Sequence, residues 1–211
     1  MKKLHTFNIL GWTAVTFIAV LVLAGCEDLF RDPFVGSLSV GDTGPAGGTI
    51  VFVDVEREHD WDYLEAAPVD LGTDNAEYIW GLNTVAVQTG DSIGTGQADT
   101  TAIIEALEED PNTPANYAAK AADAFSHNGY SDWFLPSKDE LNLIHELREI
   151  LSGLRPNQYY WSSSDDDASI TWVWAQIVNS DTGRQANSGG SGKHATRPVR
   201  VIRSFRESDL E

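Results

Sequence analysis

The chain has 211 residues and a formal net charge of −18, from 32 acids against 14 lysines and arginines. That excess repels phosphate backbones, which sets nucleic acid aside as a partner. A 42% hydrophobic content with seven tryptophans supplies a packed core, and the length fits one domain with short appendages rather than a disordered chain.

The first residues, Met1-Lys2-Lys3, are basic, and an apolar run of about 16 residues follows over positions 9–24, interrupted by Gly11, Thr13 and Thr16. This is the pattern of a secretory signal. The run is shorter than the ~20 residues a membrane-spanning helix needs, and no basic stop-transfer cluster ends it. Leu23-Ala24-Gly25-Cys26 resembles the lipobox of bacterial lipoproteins, so cleavage before Cys26 and diacylglycerol on its thiol are expected. Removing Lys2 and Lys3 with residues 1–25 takes the net charge from −18 to −20. Cys26 is the only cysteine, so the remaining domain has no disulfide and no thiol for catalysis or metal binding. Acyl chains contribute ~0.8 kcal/mol per buried CH₂, enough for the lipid alone to hold a membrane. The expected location is the bacterial cell envelope, extracytoplasmic, on the outer membrane or cell surface ahead of the inner membrane.

Residues 26–43 read as a tether: Asp28, Asp32, Pro33 and two glycines, with little periodicity. Gly44-Pro45-Ala46-Gly47 reads as a turn. The domain is expected over 44–205, with a tail over 206–211. Residues 48–54 are β-branched and aromatic and predict a strand, as do 63–67. Residues 71–96 are rich in Gly, Thr, Asn and Asp and predict loops around one apolar island, Tyr78-Ile79-Trp80-Gly81. Helical periodicity then starts at Thr100, with Ile103, Ile104 and Leu107 on one face up to Asp110-Pro111. A second helix is expected over 116–126, stopped by His127-Asn128-Gly129. A third follows Ser137, where Ser137-Lys138-Asp139-Glu140 matches a capping box, with a buried stripe of Leu141, Ile144, Leu147 and Ile150 or Leu151. Strand patterns return at 159–163 and 171–178, Asp181-Thr182-Gly183 turns the chain, and 197–203 closes the domain with Val199 and Val201 inward. Strands, then helices, then strands predict an α+β domain whose two ends pair in one sheet.

Four pieces occur here in a set order. They are Gly47-Gly48 before the first strand, Asp132-Trp133-Phe134-Leu135-Pro136-Ser137 with Glu140-Leu141, Tyr160-Trp161-Ser162-Ser163-Ser164, and Arg197-Pro198-Val199-Arg200. Together they resemble the C-terminal domain family of the Legionella collagen-like protein, over roughly residues 44–205. The resemblance implies a C-type-lectin-like fold and, for some members, adhesion or ligand binding; it implies no catalytic set. The collagen stalk of some relatives has no counterpart in this sequence. Read physically, Trp133, Leu135 and Trp161 are core residues, and Pro136 sets the start of the third helix. Asp132 accepts loop N–H groups or pairs with Arg197 or Arg200, and Ser162 to Ser164 cap or turn the chain.

Candidate chemistry is sparse. Asp165-Asp166-Asp167 is a hard-oxygen cluster able to hold Ca²⁺, but it lacks the alternating spacing and glycine of an EF-hand loop, and a solvated acidic turn is the favoured reading. No cofactor is required. Trp172 and Trp174, at period two, share one face of their strand, which is either core or an exposed platform for a sugar, with core the favoured side. Arg184, Lys193 and His194 flank a small polar loop that would rim such a site. His145-Glu146-Leu147-Arg148-Glu149 begins like a zinc-protease helix but has Glu149 where the second histidine belongs. Gly189-Gly190-Ser191-Gly192-Lys193 lacks the first glycine of a phosphate loop, and His194 stands where Ser or Thr is needed. The expectation is an anchored extracytoplasmic binding or adhesion module for a glycan or protein. The alternatives are a structural envelope lipoprotein packed against partner proteins and, third, a carboxylate-based hydrolase.

Overall fold

The computed structural model describes residues 36–72, 75–166, 168–187 and 189–210, without the side chains of 189–191. The signal segment, Cys26 and Asp167 lie outside the described residues. The described part falls within one compact unit, Pro33–Glu211. It holds eight strands in mainly antiparallel sheets and three α-helices, an α+β architecture.

β1 (Thr49–Val53) pairs antiparallel with β2 (Tyr63–Ala66), and β2 pairs with β8 (Ile202–Phe205) near the C-terminus. The two ends of the domain therefore share a sheet, as the element order predicts. Every residue of β2 is buried, Glu65 included. Glu65 sits at 0% exposure because it accepts from Gly48 N at 2.7 Å, Ala46 N at 3.3 Å and Arg203 Nη1 at 3.2 Å. These bonds tie the 44–48 turn to the sheet. A Cβ on Gly48 would stand 2.1 Å from the Ala66 carbonyl oxygen, so this backbone approach requires glycine.

The stretch expected as one closing strand is two. β7 (Thr196–Arg197) pairs with β3 (Tyr78–Ile79), and β8 pairs with β2. Pro198 has no N–H for a continuous ladder. Between the two strands, Val199 and Val201 are fully buried, and their carbonyls accept from Leu71 N and Ala67 N.

β4 (Tyr159–Asp165), β5 (Val173–Ile177) and β6 (Gln185–Asn187) form the third sheet. β4 divides the core by its alternation. Trp161 packs with Trp80, Trp133, Leu135 and the helices α1 (Gly96–Glu108) and α2 (Ala118–Asp123). Tyr160 points into the other cluster, with Leu141 and Ile144 of α3 (Lys138–Glu146). The reading of Trp133, Leu135 and Trp161 as core holds.

The Ser137 capping box at α3 is complete: Ser137 Oγ accepts Glu140 N at 3.2 Å, and Glu140 Oε2 accepts Ser137 N at 2.7 Å. Leu141, Ile144 and Leu151 are buried, whereas Ile150 faces solvent. α1 begins at Gly96, before the expected Thr100. A Cβ at Gly96 would meet Glu140 Oε2 at 2.2 Å and the Leu135 carbonyl at 2.8 Å. Close packing demands a glycine in the first turn, a poor helix former by itself.

The flanks differ from expectation. Within the supposed tether, Gly41 N donates to Ile50 O at 2.8 Å and Ile50 N to Asp42 O at 2.9 Å, so this segment runs along β1. The supposed tail turns through a 3₁₀ helix, Glu207–Leu210, and Glu207 accepts both Ser37 N and the Tyr63 hydroxyl.

Candidate ligand-binding site

The end of the β4–β5–β6 sheet carries most of the sequence-selected residues, but not in the roles expected of all of them. Lys193 was expected on the rim of a ligand site. It is instead 0% exposed, with its ammonium 2.9 Å from Asp165 Oδ2, 2.8 Å from Val85 O and 4.7 Å from the centre of the Trp80 ring. The cause is the chain path: the 3₁₀ segment Gly189–His194 turns inward at Gly192 (φ 55°) and sends its lysine under the 83–87 loop, where Asn83 Oδ1 accepts Lys193 N. Burial pulls both ionised groups towards neutrality, Lys193 down and Asp165 up, while their mutual attraction opposes this.

That ion pair also changes the reading of the acidic cluster. Asp165 ends β4 and is 8% exposed, and its Oδ2 receives Lys193 Nζ and Val87 N while Oδ1 receives Asp166 N. Asp165 therefore balances a buried ammonium, which is neither the solvated acidic turn nor the calcium ligand read from the sequence. Among the described residues no group of three or more acids, histidines or cysteines has metal-holding geometry. Asp166 is half-buried at the surface, accepting from Asn187 Nδ2 at 3.1 Å and Ala168 N at 3.0 Å.

Neither tryptophan lies in the buried core. Val173 and Ala175 occupy the inward face of β5, beside Trp161, so Trp174 is turned outward and is half-buried; Trp172, just before the strand, is half-buried too. Lys138, at the start of α3, lies over the Trp174 ring at 4.1 Å and pairs with Asp91 at 2.9 Å. Gln185 Nε2 donates to Lys138 O at 3.2 Å, which joins β6 to the helix start. Arg184 and His194 are exposed.

Beside these residues lies a pocket of about 210 Å³ lined by Ala86, Val87, Gln88, Asp165, Asp166 and Ile170. Asp166 N donates to Trp172 O at 3.0 Å, so the tryptophan that precedes β5 borders the same loop. The pocket combines an apolar wall (Ile170, Val87), an exposed amide (Gln88) and a carboxylate with no ion pair among the described residues (Asp166), with the Lys193–Asp165 pair at its edge. Gln88, Ile170 and Asn187 had no recognisable signal in the sequence. A larger, shallower groove of about 580 Å³ runs along the end of α1, from Thr84 to Ala86 and from Glu109 to Asn112, and contains none of the selected aromatic residues.

The remaining motif residues hold the scaffold. Asp132 pairs with Arg203, not with Arg197 or Arg200, by two bonds of 2.8 Å. Arg200 is fully buried and reaches Asp70, Ala67 O and Ser152 O. The three serines are strand residues, and Ser164 also caps the first N–H of α3. Ser162 Oγ donates to Trp174 O, Ser163 Oγ to Asp99, and Ser164 Oγ to Gly90 O while accepting Lys138 N. Pro136 O accepts Ser163 N, fixing β4 against the start of α3.

Two interior acids pin the 90–96 loop. Glu140 accepts Gly94 N, and Asp99 accepts Gly90 N and the Thr95 and Ser163 hydroxyls. Burial pushes the Glu140 carboxyl up to about 7, against the pull of these N–H donors. Both side chains are enclosed, so the acid of highest pKa serves the loop and does not face the pocket. A scan of the chain against protein-family models finds no match, and a search of curated proteins finds none.

Proposed function

We propose that this chain is an extracytoplasmic lipoprotein, anchored through Cys26, whose lectin-like domain binds a glycan or protein ligand at the pocket beside Trp172 and Trp174. The lectin-like assignment rests on the resemblance of the four sequence pieces to the C-terminal domain family of the Legionella collagen-like protein. The observation that carries the binding reading is the half-buried, outward Trp174, which pairs across the sheet with Asn187, whose side-chain amide donates to Asp166. A half-exposed indole offers an apolar face to a sugar ring or an apolar side chain, and the amides and carboxylate supply directional bonds to hydroxyl or amide groups. The recognition as proposed uses no cation, and Asp165 already pairs with Lys193.

The test is a glycan and protein array probed with the domain from Gly36 onward, with calcium and with EDTA. Binding is expected in both conditions and is lost in Trp172→Ala and Trp174→Ala variants whose melting temperature stays near the parent value. Silence across the array at high protein concentration overturns the reading. The anchor is tested separately in cells: labelled palmitate is expected on the full chain and absent from Cys26→Ser.

A further inference from the structure

The chain has acids to spare, and its fold pairs its enclosed cations almost completely. From Lys120 and Lys138 to Arg200 and Arg203, the other buried or half-buried lysines and arginines among the described residues have a carboxylate at 3.3 Å or less. Arg197 does not. Its guanidinium lies over two aromatic rings, 5.0 Å from the centre of Tyr159 and 4.6 Å from that of Trp161. Its Nε is buried with no hydrogen-bond partner, and its terminal nitrogens have no acceptor among the described residues. Arg197 as a whole is only half-buried.

The nearest acid does not fill the gap. Glu77 is held by the Thr196 hydroxyl at 3.0 Å and by Arg155 Nη1 at 3.6 Å. The rings and the β3–β7 pairing of Arg197 with Tyr78 hold the arginine in place, so little freedom remains to be lost on binding. A guanidinium laid against two rings, with no acceptor on its terminal nitrogens, can still take a planar carboxylate, which accepts two parallel N–H bonds end-on. Each further negative charge on a ligand would meet Glu77 and a chain at −18, which favours one carboxylate over a phosphate or sulfate.

We propose that Arg197 is the receptor for a single carboxylate carried by a small ligand, gripped by Nη1 and Nη2 beside Trp161. This site is separate from the tryptophan pocket and does not depend on it.

The test is an NMR titration of the ¹⁵N-labelled domain with sodium acetate, sodium glucuronate and glucose, with sodium chloride matching ionic strength. The readouts are the Arg197 Nε–H and the Trp161 indole N–H, which donates to Tyr78 O at 2.8 Å. Saturable shifts with a Kd of ~1–10 mM are expected for the carboxylates and none for glucose. Saturation by acetate and glucuronate alike makes the carboxylate itself the ligand group, and tighter glucuronate binding makes it an acidic sugar. Arg197→Gln is expected to abolish the response. Arg197→Lys keeps the charge without the fork and should weaken binding ~10-fold or more, a result that stands even if the glutamine variant does not fold. No saturable shift at ~100 mM, or an equal response to chloride, or a lysine variant that binds as the parent does, overturns the proposal.

Discussion

Replacing Asp165 with asparagine leaves the Lys193 ammonium in place and removes the charge that balances it. Lys193 is 0% exposed, and its remaining partners would be the Val85 carbonyl at 2.8 Å and the Trp80 ring at 4.7 Å. Neither carries a full charge. Breaking a buried pair from one side costs ~3–5 kcal/mol, because the surviving charge stays desolvated. For a domain of this size each kcal/mol lowers the melting temperature by ~2–4 °C, so a fall of roughly 6–20 °C is expected in Asp165→Asn. Urea unfolding followed by tryptophan fluorescence gives the free energy directly, since Trp80 sits against the pair. Adding Lys193→Met removes the stranded charge, and the double variant should recover most of the loss. The same experiment separates this account from a calcium site. A calcium ligand would lower metal-dependent stability while leaving the EDTA-treated protein unaffected. A loss below ~1 kcal/mol in EDTA, or no recovery in the double variant, would refute the reasoning from the ion pair.

Two further predictions concern the scaffold. Glu140 titrates near 7 when folded against an ordinary 4.5, so the folded state holds its proton more tightly than the unfolded chain. Its contribution is greatest below pH ~4.5 and is lost as pH rises through about 7, a difference on the order of 3 kcal/mol. Urea midpoints of the parent should therefore fall between pH 5 and 8 relative to Glu140→Gln, which cannot titrate; parallel profiles would contradict the burial argument. Gly48→Ala places a methyl 2.1 Å from the Ala66 carbonyl, and opening β1 from β2 to admit it should cost ~1–3 kcal/mol; an unchanged urea midpoint would show that this approach is not tight.

What was legible in the sequence lies within a few residues of itself. The capping box at Ser137 and Glu140, the strands at 49–53 and 159–165, and the alternation that buries Trp161 are set by caps and periodicity over one or two turns of chain. The pairing of the two ends of the domain in one sheet followed from the element sequence, while the division into three sheets did not. The glycine that starts α1 carried no such signal, because its reason is the Leu135 carbonyl and Glu140 packed against it.

Tertiary structure alone chose the partners and the faces. Arg200 meets Asp70 across 130 residues and Arg203 meets Asp132 across 71, distances over which charge pattern carries no information about the chain path. Period two would put Trp172 and Trp174 on one side and Val173 and Ala175 on the other, and both pairs are apolar, while β5 itself starts only at Val173. Hydrophobicity cannot choose between two apolar faces. Packing chose: Val173 and Ala175 join Trp161 in the buried cluster, and Trp174 is left half-buried.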